Sequence, residues 1–562
     1  GINYELPLNK FPALSFVTSN YSYTGDFQWN KGSDLLVGDG NVSLGNSISN
    51  ANQHNLNTSF DMRKLYRYLG IKKSSKRNRA VKSNANTPSS RASSKSKKFN
   101  LKNFGIGLLT SINRMQINYS EGNSSFLPGY LPTPGFLGTL RPTAGYTFGS
   151  QRDIRRISAE NGWLTTYDQF NQQYTETHTQ DIDFNINMEP ISDLKIDLTG
   201  GKTYATNFTE TFNVETNASG LSYNPLIPNT FGNFNISTVL IKTAFSQSDE
   251  IKSVPFEEFK SNRLVIANRL AQNFYGANGF TTDAEGYPEG FGKNSQAVLL
   301  PAFLAAYSGK KSNKISLDAF RDIPIPNWTL KYTGFMKNKW FKKRFRRFSL
   351  THGYNASYTI NQFRSNLDYK GNEPIQNLDY GDQGDNTKDQ SGNYKAETLY
   401  SNINLVEQFS PLVKIDFEMK NSVKVSAEIK KDRSLSLSFD NNLLTEIHGD
   451  EYIFGLGYRI KDLRIRSKLA GSRRIIKSDL NMKADISMRN NKTIIRYLDL
   501  DNNQVSAGQT IWSMRYAADY AFSKNLTAIF YFDYAFSEYA ISTAFPQTTI
   551  RSGFTLRYNF GN

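Results

Sequence analysis

The residues that could carry chemistry in this chain are few and scattered. Four histidines stand at His54, His178, His352 and His448. They lack the i, i+4 pairing of a zinc-binding helix, so each reads as an ordinary strand or loop residue. There is no cysteine, which removes thiolate metal sites, disulfide scaffolds and cysteine nucleophiles. Gly200-Gly-Lys-Thr203 has the tail of a phosphate loop, but Ile196 stands where its first Gly belongs and the segment reads as strand. Asp499-Leu-Asp501-Asn-Asn503 opens with calcium-loop spacing but lacks the sixth-position Gly and the closing Glu, and so reads as a polar hairpin turn. Asp181 and Asp183 lie two apart on one strand face, which suits a wet lining better than an acid/base pair. No G-x-S-x-G elbow comes with a plausible Asp/His set. The expectation is no catalytic, cofactor-binding or metal-ligating residue, and not an enzyme.

The elements around these residues are strands. Ile182, Phe184, Ile186 and Met188 alternate with Asp181, Asp183, Asn185 and Asn187, and after a turn at 189–193 come Leu194, Ile196 and Leu198. The same period of two returns in Leu435/Leu437/Phe439, in Phe454/Leu456/Tyr458/Ile460 and in Leu480/Met482/Ala484/Ile486/Met488. A turn is expected at Arg489-Asn-Asn491 and another at 523–525. Near the end, Ala528, Phe530, Phe532, Tyr534 and Phe536 form one row, and a last strand runs from Ile550 to Phe560. Roughly 14 to 18 such segments are expected, many longer than the ~5–6 residues of soluble strands.

Composition narrows the architecture. The chain has 562 residues, of which 38% are hydrophobic and 13% aromatic, with 39 Phe, 31 Tyr and 5 Trp. The longest apolar run, Ala297–Tyr307, contains Pro301 and falls short of the ~20 residues of a membrane helix. The chain opens on Gly1 with no charged-then-apolar leader, as expected of a processed chain or a fragment. Many alternating strands make either a soluble sandwich or a transmembrane barrel. Asn, Asp, Thr, Ser and Lys between the apolar rows suit a wet lumen. Aromatics at strand ends, as in Tyr21/Tyr23/Phe27/Trp29 and Tyr531/Phe532/Tyr534/Phe536, suit interfacial girdles. The fold class expected is therefore all-β, a transmembrane antiparallel β-barrel with a few helical loop insertions, in the outer membrane.

The formal charge is +17, yet ten Lys/Arg in 72–98 and seven in 337–347 account for the whole surplus. The first segment is Ser- and Lys-rich with no acid and little apolar surface, so it reads as a mobile insertion whose removal leaves the barrel assembled. The second interleaves Trp340, Phe341, Phe345 and Phe348 with its cations, as a short amphipathic element at a membrane interface does. Aromatic-basic interleaving also binds single-stranded nucleic acid, but nothing else in the chain resembles a nucleic-acid fold, and none is expected as a partner.

The organisation expected is barrel strands over 1–60, then a helical turn ending at Gly70 and the basic insertion over 61–99. Strands with loops follow over 100–246, a partly helical long loop over 247–325, and strands over 326–562. Within the long loop, Phe259, Ile266, Leu270 and Phe274 share one face of a helix at 255–275, and a second apolar helix covers 296–308. These two should pack on each other or plug a pore mouth, as a cap or gate.

Several segments together resemble the SprA (also called Sov) family, the outer-membrane translocons of the type 9 secretion system in Bacteroidetes. They are NLNTSFDMRKLYRYLG (55–70), AENGWLTTYDQFNQQY (159–174), FEEFKSNRLVIANRLA (256–271), KNSQAVLLPAFLAAYSG (293–309), FSLTHGYNASY (348–358) and the tail from VSAGQTIWSMRYAADYAFSKNL to IRSGFTLRYNF (505–560). Segment 72–98 carries no resemblance. The resemblance implies the C-terminal portion of a very large barrel, about 36 strands in the largest known case, that passes folded secreted proteins across the outer membrane. It also implies partners: substrates with C-terminal signal domains, plug and accessory proteins of the secretion system, and outer-membrane lipids. An association with gliding motility comes with the family. Family members are far longer than this chain, so it is expected either to complete a ring with further polypeptide or to form a smaller barrel. The alternative readings are a porin or TonB-dependent transporter for small solutes, an assembly barrel and a barrel enzyme.

Overall fold

The computed structural model describes residues 1–32, 44–71, 110–135, 141–218, 220–369, 387–467, 474–500, 503–523, 525–541 and 544–559. The basic segment 72–98 and Phe560 lie outside the described residues, as do Asp501 and Asn502. The strands are β1 (Ile2–Leu6), β2 (Val17–Asn30), β3 (Asn46–Asp61), β4 (Ile112–Tyr130), β5 (Gln173–Ile191), β6 (Leu194–Asn217), β7 (Gly220–Ser237), β8 (Asn327–Tyr332) and β9 (Phe345–Ser365). They continue with β10 (Thr398–Tyr400), β11 (Asn402–Met419), β12 (Val423–Ser438), β13 (Leu443–Ser467), β14 (Arg474–Tyr497), β15 (Asn503–Ala521), β16 (Leu526–Tyr539) and β17 (Gln547–Tyr558). Five α-helices are described: α1 (Met62–Tyr68), α2 (Arg155–Glu160), α3 (Val254–Tyr275), α4 (Gln296–Ser308) and α5 (Lys339–Arg344).

All seventeen strands belong to one antiparallel sheet. Each pairs with its neighbour in sequence from β1 to β6 and from β11 to β17. Between those runs, β6 pairs with β7 along its upper half and with β8 along its lower half, and β9 pairs with both from the other side. The strands β7 and β8 thus occupy one position in the sheet, split in mid-wall by residues 238–326. Strand β17 takes its register from β16 and is exposed along both faces; among the described residues no register joins it to β1. The fold is the expected all-β, antiparallel barrel-type wall with helical insertions, and no described helix is long and apolar enough to cross a membrane.

The helices form where local chemistry asks for them. At the start of α3, Ser253 accepts a hydrogen bond from the Phe256 amide, Pro255 sits in the first turn and Glu257 faces the positive end of the dipole. Helix α4 is buried from Val298 to Tyr307, as an apolar helix without a polar face must be. It stops at Gly309, whose φ of +62° suits a residue without Cβ. Phe259 of α3 meets Phe303 of α4 at 5.6 Å between ring centroids, so the two helices pack on each other as expected.

One expected turn is corrected. Arg489, Asn490 and Asn491 lie in the middle of β14, with Asn490 opposite Asp450 and Thr510, and Asn491 opposite Gly449 and Gln509. Three polar residues read as a turn because they cross a polar rung of the sheet. The aromatic row of β2 is also redistributed: Phe27 and Trp29 pack on the core formed with segment 141–174, so that end of the row is covered by protein.

Candidate functional site

Register fixes which side chains share a face, because a strand repeats every two residues. On one face, Tyr452, Phe454, Leu456, Tyr458 and Ile460 of β13 head five consecutive apolar rungs. The rung of Phe454 reads Ile415, Ala427, Phe454, Ile486, Met514, Tyr534, Ile550. The rung of Leu456 reads Phe417, Val425, Leu456, Ala484, Tyr516, Phe532 and then Ser552. Phe454, Ile486, Met514, Ile550 and Phe554 of this belt are exposed. Five rungs cover about 27 Å along a strand, the scale of the ~25 Å apolar band of membrane barrels.

The opposite face is polar at the same level. Its central rung reads Ser349, Asp416, Ser426, Gly455, Asp485, Arg515, Asp533, Arg551. Lys414 bonds Glu428 at 2.9 Å and Lys430 bonds Glu451 at 3.2 Å on that face. A shallow hollow of about 530 Å³ opens here between Asp416, Lys424, Gly455, Lys483 and Asp485. A Cβ on Gly455 would stand 2.6 Å from an Asp485 carboxylate oxygen, so the carboxylate uses the space that glycine leaves. Asp181 and Asp183 point to the same polar side of β5, opposite Thr203 and Gly201.

Above the belt the apolar face changes character. First comes a polar rung of Lys431, Asp450, Asn490, Thr510 and Glu538. Beyond it, Leu405, Leu435, Leu437 and Leu444 are buried under α3 and α4. Two ion-pair networks tie the insertion to the wall. Arg496 and Glu446 are both fully buried and meet at 2.7 Å. Arg496 also donates to the Ser248 hydroxyl and the Asp249 carbonyl, while Ser248 and His448 bond the other Glu446 oxygen at 2.8 Å each. In the second network Arg433 bonds Glu407 at 2.9 Å and the Thr243 carbonyl at 3.0 Å, and the Tyr354 hydroxyl donates to Glu407 at 2.7 Å. Lys492 pairs with Glu250.

The insertion's own acids are tuned by these contacts. The Gln247 amide, with the backbone N–H groups of Lys252 and Ile251, holds the Asp249 carboxyl below its usual range. The Lys492 ammonium does the same for Glu250. Burial pushes the Tyr307 phenol well up.

Sequence reasoning missed both networks. The signal was available: Arg433 stands two before Leu435, and Glu446 two after Leu444. A charge inside an apolar row is costly unless paired, so each such charge foretells a partner from elsewhere.

The four histidines bond different partners. His54 bonds the Tyr21 hydroxyl at 2.7 Å, His178 the side-chain Oδ1 of Asn123 at 2.6 Å, His352 the Leu412 backbone carbonyl at 2.7 Å, and His448 bonds Glu446. Among the described residues no three His, Cys, Asp or Glu stand together as a metal would need. The Gly200–Thr203 segment lies inside β6, and Asp499 bonds Asn294 in the β14–β15 connection.

At the belt end of the wall, α5 carries the second basic cluster. Asn338 caps it by accepting from the Trp340 amide. Phe341 packs between Phe335, Phe345 and Phe348, with Phe348 stacked on Phe417, and the Arg344 guanidinium lies 4.3 Å over the Trp340 ring. Lys339, Lys342 and Lys343 remain exposed.

No protein-family model matches the chain, and no curated protein does. Among solved structures it is similar to the RagAB peptide transporter, at 8% identity and a TM-score of 0.26, over 93% of this chain and 49% of that one. The RagAB peptide importer in its open-open state gives 7% identity and 0.27, over 94% and 49%. The TodX monoaromatic hydrocarbon channel gives 10% identity and 0.12, over 98% and 83%. The chain thus spans about half the length of the RagAB chain it matches. The pairing and the faces described above define the fold independently of these weak likenesses.

Proposed function

We propose that this chain is part of the wall of an outer-membrane channel that conducts protein, of the type 9 secretion translocon kind. The observation that carries the reading is the division of one continuous sheet into a bare five-rung apolar belt on one face and a charged, finely alternating lining at the same level on the other. A belt of that height suits contact with acyl chains, and a lining rich in paired charges suits a wet passage that offers no sticky apolar surface to a polypeptide. The sequence resemblance supplies the cargo: folded secreted proteins with C-terminal signal domains. Plug and accessory proteins of the same machine are the proposed partners.

Strand β17 supports a wall wider than these strands alone. Among the described residues its one register is with β16, and a spanning strand in lipid needs both edges paired, so on this reading further strands complete the ring. The exposed lysines of α5, with its aromatic cluster, suit the headgroups of the inner-facing leaflet.

The test is sieving. The assembled channel, isolated with its partners and then stripped of plugs, is inserted in liposomes loaded with dextrans of graded size. A protein conductor releases dextrans as large as folded domains. Release limited to small solutes overturns the reading in favour of a porin or a TonB-dependent transporter.

A further inference from the structure

Residues 238–326 do not leave the wall at a strand end. The chain departs at Ser237, half-way down a sheet position, and resumes at Asn327, with the Ile325 amide bonded to the Ser237 carbonyl at 3.0 Å. The face on which it settles is fixed by register. Strand β13 runs without a break in pairing from Leu444 to Tyr458, so Leu444 and Glu446, which the insertion covers, share a face with the bare belt residues Tyr452 to Tyr458. The same holds on β12 for Leu435 and Leu437 above Val423, Val425 and Ile429. The helical layer and the lipid belt are therefore on one side of the sheet, and the charged lining is on the other.

We propose that the insertion rides on the outside of the wall, directly above the membrane, and that its lower edge, Phe245 and Ile251, sits in the lipid interface of the outer leaflet. This rests on the reading of the belt as lipid-facing. Three observations set the height. Phe245 is 61% exposed and its ring lies tilted against Phe409 at 5.3 Å between centroids, and the cross-strand partner of Phe409 is Lys431 of the polar rung bounding the belt. Glu250 pairs with Lys492, one rung higher, and Ile251 beside it is 87% exposed. The turns at 192–193 and 420–422 lie at the other end of the belt, together with the longer connection 62–111; we take that end as periplasmic, where such barrels carry their short turns. An apolar pair at the rim of a lipid belt, continuous with it on the same face, meets the same lipid, with the cations and carboxylates of the rung at headgroup depth. On this placement α3 and α4 form a shelf that flanks the passage on the side away from the charged lining.

This chain carries no cysteine, so a thiol introduced into it is the only one it has. Assembled channels, with any cysteine of the completing strands replaced, carry Ile251→Cys, Phe245→Cys, Met514→Cys or Arg515→Cys singly in this chain, labelled with an environment-sensitive fluorophore. They are reconstituted in phosphatidylcholine–phosphatidylglycerol vesicles holding lipids with a nitroxide at the headgroup or deep in the acyl chain. Expected are loss of fluorescence at 251 and 245 with the headgroup nitroxide, loss at 514 with the deep one, and no loss at 515 with either. Labels at 251 and 245 behaving like 515, while 514 is quenched, would overturn the external shelf and leave the channel reading standing. An unquenched 514 would remove the lipid belt, and the shelf with it. Ile251 is exposed, so its replacement leaves packing intact, and Phe245 provides the second, independent position.

Discussion

At the scale of single residues the informative groups are the buried charges. Arg496 and Glu446 are fully buried and joined to Ser248, Asp249 and His448, so the anchoring of the insertion is built on a pair that tolerates no half-removal. Arg496→Met strands a buried carboxylate and should cost about 3–5 kcal/mol, read as faster proteolysis and amide exchange across 240–253. Arg496→Met with Glu446→Leu removes both charges and should recover most of that loss. A full effect persisting in the double variant would show that packing rather than charge holds the insertion. Acid should loosen the same region. Asp249 and Glu250 have folded pKa values depressed below their ordinary 3.8 and 4.5. Their contribution is present above those values and is lost as pH falls through the lower, folded ones. Exchange of the Ile251 and Lys252 amides, which donate to Asp249, should accelerate there and stay flat between neutrality and the ordinary carboxylate range.

At the scale of elements the two faces of each strand make opposite demands. Leu456→Arg places a cation in the middle rung of the belt and should weaken insertion by about 2–4 kcal/mol, whereas a charge at an interface position costs about 0–1. Asp485→Lys, one strand over and on the lining face, should leave insertion unchanged and alter ion selectivity. Refolding into vesicles against urea reads the first, and single-channel recording the second. Equal losses of stability would mean that both faces are buried alike. The period-two rows were legible in sequence because each strand has one apolar side, and α3 and α4 were legible from a 3.6-residue stripe and an uninterrupted apolar run. The interior of β14 was misread at Arg489–Asn491 because a polar rung crossing a strand has the composition of a turn.

At the scale of the whole molecule the open pairing of β17 is the feature that matters. Its apolar residues Ile550, Phe554 and Leu556 are exposed, and among the described residues no register is made by its outer edge. Outer membranes run on a denaturing gel and probed with an antibody to residues 293–309 should give a band several times heavier than 63.7 kDa, as when strands of one longer polypeptide complete the ring. A band at 63.7 kDa would transfer the completion to a separate subunit or favour a smaller barrel.

What the amino-acid sequence determined by itself was what has a short repeat: most of the strands, their apolar and polar rows, the two long helices of the insertion, and the clustering of surplus charge. These follow from side chains within a few residues of one another, where backbone geometry alone fixes who is a neighbour. Only the tertiary structure decided which row lies opposite which, that β7 and β8 are one interrupted position, and that the insertion shares the face of the belt. Ser248 meets Arg496, and Thr243 meets Arg433, across separations that no local rule spans. Such contacts depend on the register of the whole sheet, which a period of two leaves open until every strand has found its partner.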